Sequence, residues 1–241
     1  MFFESKSFSD QPPDDATVWR YMDLTRFLSV IDTRELHFTQ AALMKDKWEG
    51  NYGAKAEDEA GFIAHIRSHP LSPSMYLNCW HLSEYESAAM WEIYQRDGRG
   101  IAIKTTWGEL KASILGSQPI TGGRVHYVDY DEFDMNDTNA LSPFMYKRLS
   151  FEHENEVRLV HWSTAEVKID PSAGLDAEEG LIAHDAGAGI PVRVNLDMAI
   201  KQVFLAPDAE PWVLPLIQRL SEKYGLKAPV TQSNLYNGPI S

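Results

Sequence analysis

Hydrophobic positions along this chain fall in short runs, several of them alternating, interleaved with stretches at helical spacing. That pattern predicts an α/β fold. Residues 17–22 (TVWRYM) read as a strand, and Asp23 then offers an N-cap to a short helix with Leu24, Phe27, Leu28 and Ile31 on one face. Leu36 and Phe38 flank His37 in a second strand. After the loop at 44–53 (MKDKWEGNYG), residues 55–69 predict a helix closed by Pro70. Residues 76–106 form the organising unit. Met75, Tyr76, Leu77, Cys79 and Trp80 mark a buried strand, and Ser83 and Glu86 have the spacing of a capping box. A helix of about three turns with an aromatic stripe of Trp91 and Tyr94 should follow, ending near Asp97-Gly98, before a strand at Ile101–Ile103. Helices are expected at 107–115, 141–149 and 212–224, and strands at 124–128, 156–162, 192–196, 203–205 and around Val230. Residues 1–16 read as a flexible arm. Residues 17–241 read as a single α/β (α+β) domain, its mixed, largely antiparallel sheet flanked by helices.

Composition narrows the function classes. The chain has 241 residues, 44% hydrophobic and 24% charged, an ordinary globular composition. No apolar run approaches the ~20 residues that span a bilayer, and the first residues lack the pattern of a signal peptide. One cysteine, Cys79, excludes an internal disulfide and a cysteine zinc site and fits a reducing, cytoplasmic setting. The net charge is −13, and residues 129–179 carry 13 acidic against 4 basic side chains. Such a surface repels phosphate backbones, which argues against general nucleic-acid binding.

The sharpest chemistry lies in FEHENEVRLV, residues 151–160. Were the segment extended, Glu152, Glu154, Glu156 and Arg158 would share one face, and the crowding would raise the pKa of one carboxylate. The plain alternative is a solvated strand edge with an Arg–Glu pair. Glu156 alone lies within the apolar part of the strand, which makes it the acid placed by the fold. His65 and His69 have i, i+4 spacing but lack the zincin glutamate. Cys79 with His81 and His153 suggests a thiol nucleophile, though a cysteine in an apolar strand is usually inert packing. Gly98-Arg99-Gly100 and Gly187-Ala188-Gly189 match no phosphate-loop motif.

Several motifs together carry a resemblance. They are Trp19-Arg20-Tyr21, the MKDKWEG turn with Asp46, Trp48 and Glu49, NCWH with ESAAMWEIY and GIAI, YKRLSFEHENEVRLV, and VFLAPDAEPWV. With these the chain resembles the bacterial domain-of-unknown-function family numbered 2971, which brings no assigned reaction. More distantly, the order of elements is similar to the ADP-ribosyltransferase superfamily, whose core is a split sheet. That resemblance implies NAD as substrate and no metal. It implies Glu156 as the catalytic acid with Glu154 and Arg158 beside it. Arg20 would hold the NAD phosphate or ribose, and Ser83 or Tyr85, with Tyr21 and Trp91, would line the nucleotide pocket. It further implies a role in stress, phage defence or toxin–antitoxin conflict, with the acceptor and any homo-oligomer left open. Two other classes stay open. One is a metal-dependent hydrolase or nuclease in which Glu154 and Glu156 with Asp129 or Asp131 bind Mg²⁺. The other is a non-catalytic binding module in which these residues build the core.

Overall fold

The computed structural model describes residues 1–4, 8, 10–52, 71–94, 98–133, 135, 139–166, 181–183 and 186–238; the helix expected over 55–69, with His65 and His69, lies outside them. The architecture is a mixed, largely antiparallel sheet flanked by helices, nine-stranded among the described residues. In chain order its first half comprises β1 (Thr17–Asp23), α1 (Leu24–Thr33), β2 (Glu35–Gln40), β3 (Met75–Leu82), α2 (Ala88–Tyr94), β4 (Gly100–Thr106), α3 (Trp107–Ala112) and β5 (Thr121–Arg124). The small strands β6 (His126–Val128) and β7 (Tyr146–Arg148) pair with each other, and β8 is Glu156–Trp162. A second small pair, β9 (Thr164–Glu166) with β10 (Leu181–Ala183), precedes β11 (Gly189–Arg193) and α4 (Leu196–Ala199). The chain closes with β12 (Gln202–Leu205), α5 (Val213–Lys223) and β13 (Val230–Gln232).

Local chemistry accounts for several element ends. The Asp23 carboxylate accepts from the Arg26 N–H at 2.8 Å, the cap its position predicted. Around α2 the expected capping box does not form. The Ser83 hydroxyl turns back on Tyr85, accepting its N–H at 3.2 Å and donating to its carbonyl at 2.8 Å. Ser87 caps the helix instead, through the Met90 N–H at 3.3 Å, while Glu86 accepts from the Trp91 indole at 3.0 Å. The helix expected over 141–149 is replaced by two 3-10 turns, Ser142–Met145 and Leu149–Glu154, separated by β7. Pairing of Tyr146 with His126 on β6 prevails over helical propensity there. The described part of the N-terminal arm is docked rather than loose. Phe3 donates to the Ile120 carbonyl at 2.9 Å, Phe8 is buried, and Gln11 accepts from the Trp107 indole at 3.1 Å.

The sheet's defining feature is a fork. β8 pairs along one whole edge of β3, from Met75↔Trp162 to His81↔Glu156. Two strands divide the opposite edge. β2 takes one end at Thr39↔Leu77 and Gln40↔Tyr76, and β1 takes the other at Val18↔Leu82 and Trp19↔His81. Asn78, Cys79 and Trp80 face the gap where β1 and β2 diverge. The gap is bridged by side chains: the Asn78 amide donates to the His37 carbonyl on β2 at 2.9 Å and accepts from the Trp80 indole at 2.7 Å. Glycine allows a close approach on the far side of β8, because a Cβ at Gly122 would strike the Arg158 carbonyl.

Alternation then assigns the faces. Trp19 and Tyr21 of β1, Cys79 and His81 of β3, and Glu156 and Arg158 of β8 share one side. Val18, Arg20 and Met22, with Trp80, Val157 and Leu159, share the other. α2 covers the first side, with the Trp91 ring edge-on to Tyr21 at 5.0 Å. Trp91 is 0% exposed, as its place in the aromatic stripe predicted. Trp91→Ala should therefore lower unfolding stability by about 3–5 kcal/mol. A urea melt checks this, and an unchanged midpoint would show that α2 is not part of the core.

Candidate functional site

Five charged side chains converge on the Glu156 side of the sheet. β8 starts only at Glu156, directly after Asn155, whose φ of 35° ends the preceding 3-10 turn. Glu156 and Arg158 then project to the same face two residues apart. Glu49, from the MKDKWEG turn, Lys147 of β7 and Glu154 at the end of the 3-10 turn meet them there. Arg158 Nε donates to Glu156 Oε1 at 2.7 Å and Nη2 to Oε2 at 3.2 Å, while Nη1 donates to the Phe144 carbonyl at 2.6 Å. Lys147 Nζ donates to Glu156 Oε2 at 3.0 Å and also bonds Glu154. Glu49 lies 3.4 Å from Lys147 and 3.0 Å from Arg158. The second approach is a charge contact, because Glu49 Oε2 has no well-angled donor.

Burial makes these pairings decisive. Glu156 is 4% exposed and Arg158 0%. Burial pushes the Glu156 carboxyl upward, but Arg158 and Lys147 outweigh it and hold its pKa down at about 2. Burial alone would lower Lys147 and Arg158; Glu156 reverses that and keeps both cationic. The cluster thus holds three carboxylates against two cations, one negative charge in excess. The half-buried Cys79 thiol faces the same carboxylate, and burial pushes its pKa far above the usual range, which disfavours the thiolate a nucleophile needs. The expectation that Glu152, Glu154 and Glu156 line one strand face also fails, since the first two lie in the 3-10 turn. So does the expected raised carboxyl pKa: Arg158 and Lys147, both bonded to Glu156, outweigh its burial.

Beside the cluster stands an aromatic wall. His81 sits opposite Glu156 on β3, with Nδ1 2.6 Å from the Glu154 carbonyl oxygen, and burial lowers its pKa. The Tyr21 ring lies 6.3 Å from His81. Burial raises the Tyr94 hydroxyl to about 12, with added effect from Cys79, Glu154 and Glu156. The structure therefore gathers Tyr21, Trp91, Glu154, Glu156 and Arg158 on one side of the sheet. By register Arg20 starts from the other side of the sheet, and its guanidinium lies over Trp80 in the gap of the fork, where Cys79, Tyr94 and Glu156 act on it. Ser83 and Tyr85 lie in the β3–α2 loop, Ser83 closed onto Tyr85 and Tyr85 81% exposed, rather than against Glu156. Sequence reading missed Glu49 and Lys147 as cluster members. Their only sequence signal was membership of the MKDKWEG and YKR motifs.

No protein-family model and no curated protein matches the chain, so family 2971 stands as a likeness of motifs. Among solved structures it is similar to Thermus sp. 2.9 DarT in complex with ADP-ribosylated ssDNA. The two share 6% identity over 92% of this chain and 96% of that one, with a TM-score of 0.40.

Lys147 also bears on the metal-hydrolase reading. Its ammonium already occupies the space between Glu154 and Glu156, where a divalent ion would have to displace it. Asp129 is turned into its own loop, accepting from the Asp131 N–H at 3.1 Å. Surface hollows of about 520 Å³ beside α5 and about 390 Å³ around Phe2 and Lys111 lie elsewhere; the charge cluster defines the candidate site.

The depressed carboxyl predicts an acid response with a definite sign. A carboxyl held lower in the folded state stabilises the fold above its unfolded value, here 4.5, and loses that contribution as pH falls through about 2. Urea midpoints of the wild type and Glu156→Gln should converge between pH 4.5 and 2. Curves that stay parallel through that window would show that the carboxylate is not paired.

Proposed function

We propose that the protein is an ADP-ribosyltransferase-like enzyme that breaks the nicotinamide–ribose bond of NAD on the Glu156 side of the sheet. The observation that supports this most is a carboxylate kept ionised at all ordinary pH, inside a buried cluster one negative charge in excess. In that bond cleavage the C1′–N electron pair leaves with the nicotinamide nitrogen and positive charge develops on the ribose. A fixed anion in a dry site stabilises such charge without reorganising, which is the use the cluster offers. Glu156 acts in this reading as an electrostatic group rather than a proton donor, because its low pKa leaves no proton to give. His81 and Tyr21, their rings inclined at 66°, with Trp91 edge-on behind Tyr21, supply the aromatic surface beside the cluster for a pyridine ring. The acceptor, a nucleophile or water, then takes the ribosyl carbon. The Arg20 role implied by the resemblance is not needed for this step and is not part of the proposal.

One observation favours a second reading. Glu156 is almost wholly enclosed and already holds two cations, so the cluster could serve only to join β8 to the Glu49 and Lys147 segments. Glu156→Gln separates the two. Both readings predict a loss of stability of about 3–5 kcal/mol, because Arg158 and Lys147 lose a buried partner. Only the enzymatic reading predicts that NAD glycohydrolysis per folded molecule falls by orders of magnitude, for a group worth ~3–4 kcal/mol in the transition state. Melting curves beside a nicotinamide-release assay make the measurement. Undiminished turnover per folded molecule, or no turnover by the wild type, would contradict the proposal.

A further inference from the structure

After β13 the chain runs over the surface and carries one pair of residues that the fold leaves unrestrained. Ser233 fastens this segment by donating its N–H to the Leu205 carbonyl at 2.9 Å, and its hydroxyl accepts from the Leu235 N–H at 3.2 Å. Tyr236 reaches α2, its hydroxyl donating to Glu92 Oε1 at 3.0 Å. Asn237 closes a turn through its N–H on the Asn234 carbonyl at 2.9 Å, and Gly238 follows it. Both Asn237 and Gly238 are exposed, and the Asn237 carboxamide and the Gly238 N–H meet no partner among the described residues. A Cβ at Gly238 would have nothing within 4 Å, so the space around that residue is open.

An asparagine side chain so placed has a nucleophile in the next residue. The Gly238 nitrogen attacks the Asn237 Cγ carbonyl and closes a five-membered imide. The C–NH₂ bond breaks, and the amine leaves as ammonia with the proton of the former Gly238 N–H. Water then opens the ring: at the side-chain carbonyl it leaves aspartate, at the main-chain carbonyl isoaspartate, with the backbone running through Cβ. One water enters and one ammonia leaves, with no change in oxidation state. Glycine favours ring closure because it has no Cβ to crowd the attacking nitrogen or restrict its dihedrals. Elsewhere these conditions are not met together among the described residues. Asn51, Asn78, Asn139, Asn155 and Asn195 each have a bonded carboxamide. Asn234 is exposed like Asn237, but Leu235 follows it.

We propose that Asn237-Gly238 is a site of spontaneous modification, at which the carboxamide converts to aspartate or isoaspartate in the folded protein. Each conversion adds one negative charge, taking the net charge of the chain from −13 to −14. The new carboxylate stands next to Tyr236, on which Glu92 acts through its hydrogen bond and Asp208 through its charge. Like charge therefore gathers where Tyr236 meets α2, and the loss of ammonia makes the change one-way. Neither Glu156 nor NAD takes part.

The full chain, held in mildly alkaline and in mildly acidic buffer, is sampled over time by ion exchange and peptide mapping. An acidic form should accumulate faster in the alkaline arm, where the attacking nitrogen loses its proton more readily. Its change should map to Asn237, as NH₂ replaced by OH, and the isoaspartate part should be a substrate for an isoaspartyl methyltransferase. The rate should match that of a free peptide of residues 231–241 within a few-fold, because the fold engages neither reacting group. Asn237→Gln should abolish this form and Gly238→Ala should slow it several-fold; both are exposed changes that leave the core intact. An acidic form that maps to Asn234 or another asparagine instead, equal rates in Gly238→Ala and the wild type, or a folded chain converting far more slowly than the peptide would overturn the proposal.

Discussion

Arg158 is the buried charge around which the centre of this protein is arranged. It is fully enclosed on β8, and a guanidinium there must be surrounded by acceptors or expelled. Glu156 on the same strand, Glu49 from the turn after β2 and the Phe144 carbonyl supply them. Lys147 then bridges Glu154 and Glu156, leaving one negative charge in excess. The network ties three otherwise separate segments to the middle of the sheet. The arrangement that stabilises these segments also fixes a carboxylate in its ionised form, which is how an architectural device acquires chemical potential.

The fork in the sheet sets the second constraint. One edge of β3 is shared between β1 and β2, so the backbone at Asn78–Trp80 meets side chains where a continuous sheet would place a strand. Asn78 and Arg20 fill the opening, and both depend on the same His37 carbonyl. Because β3 is a single layer there, charges on its two sides lie close enough to influence one another, as Glu156 does Arg20. Arg20 and Glu156 are therefore electrostatic neighbours.

Local signals were readable from residue order, and non-local ones were not. The Asp23 cap, the β3–α2–β4 unit and buried Trp91 each depend on contacts within a few residues, and all were legible. Ser83 and Glu86 had the right spacing for a cap, but Ser87 offers the same hydroxyl one turn later and Trp91 claims the Glu86 carboxylate. The E-x-E-x-R run looked like one strand until Asn155, in the left-handed region, broke it before Glu156. The side taken by Arg20 is a matter of parity. The pairing of Trp19 with His81 and of His81 with Glu156 decides it, and no single segment contains that information. Glu49 and Lys147 reach Glu156 only through tertiary folding, so their place in the site was out of reach of any spacing rule.

Glu49, Lys147, Glu156 and Arg158 act as one energetic unit. A double-mutant cycle on Glu49→Gln and Arg158→Met, read by urea unfolding at pH 7, tests it most directly. These residues are 109 positions apart in sequence but 3.0 Å apart in space. The expected coupling energy is about 1–3 kcal/mol, with the double variant less destabilised than the sum of the single ones. Additive effects within about 0.3–0.5 kcal/mol would contradict it, because they would mean that the turn carrying Glu49 and the strand carrying Arg158 do not share a charge network.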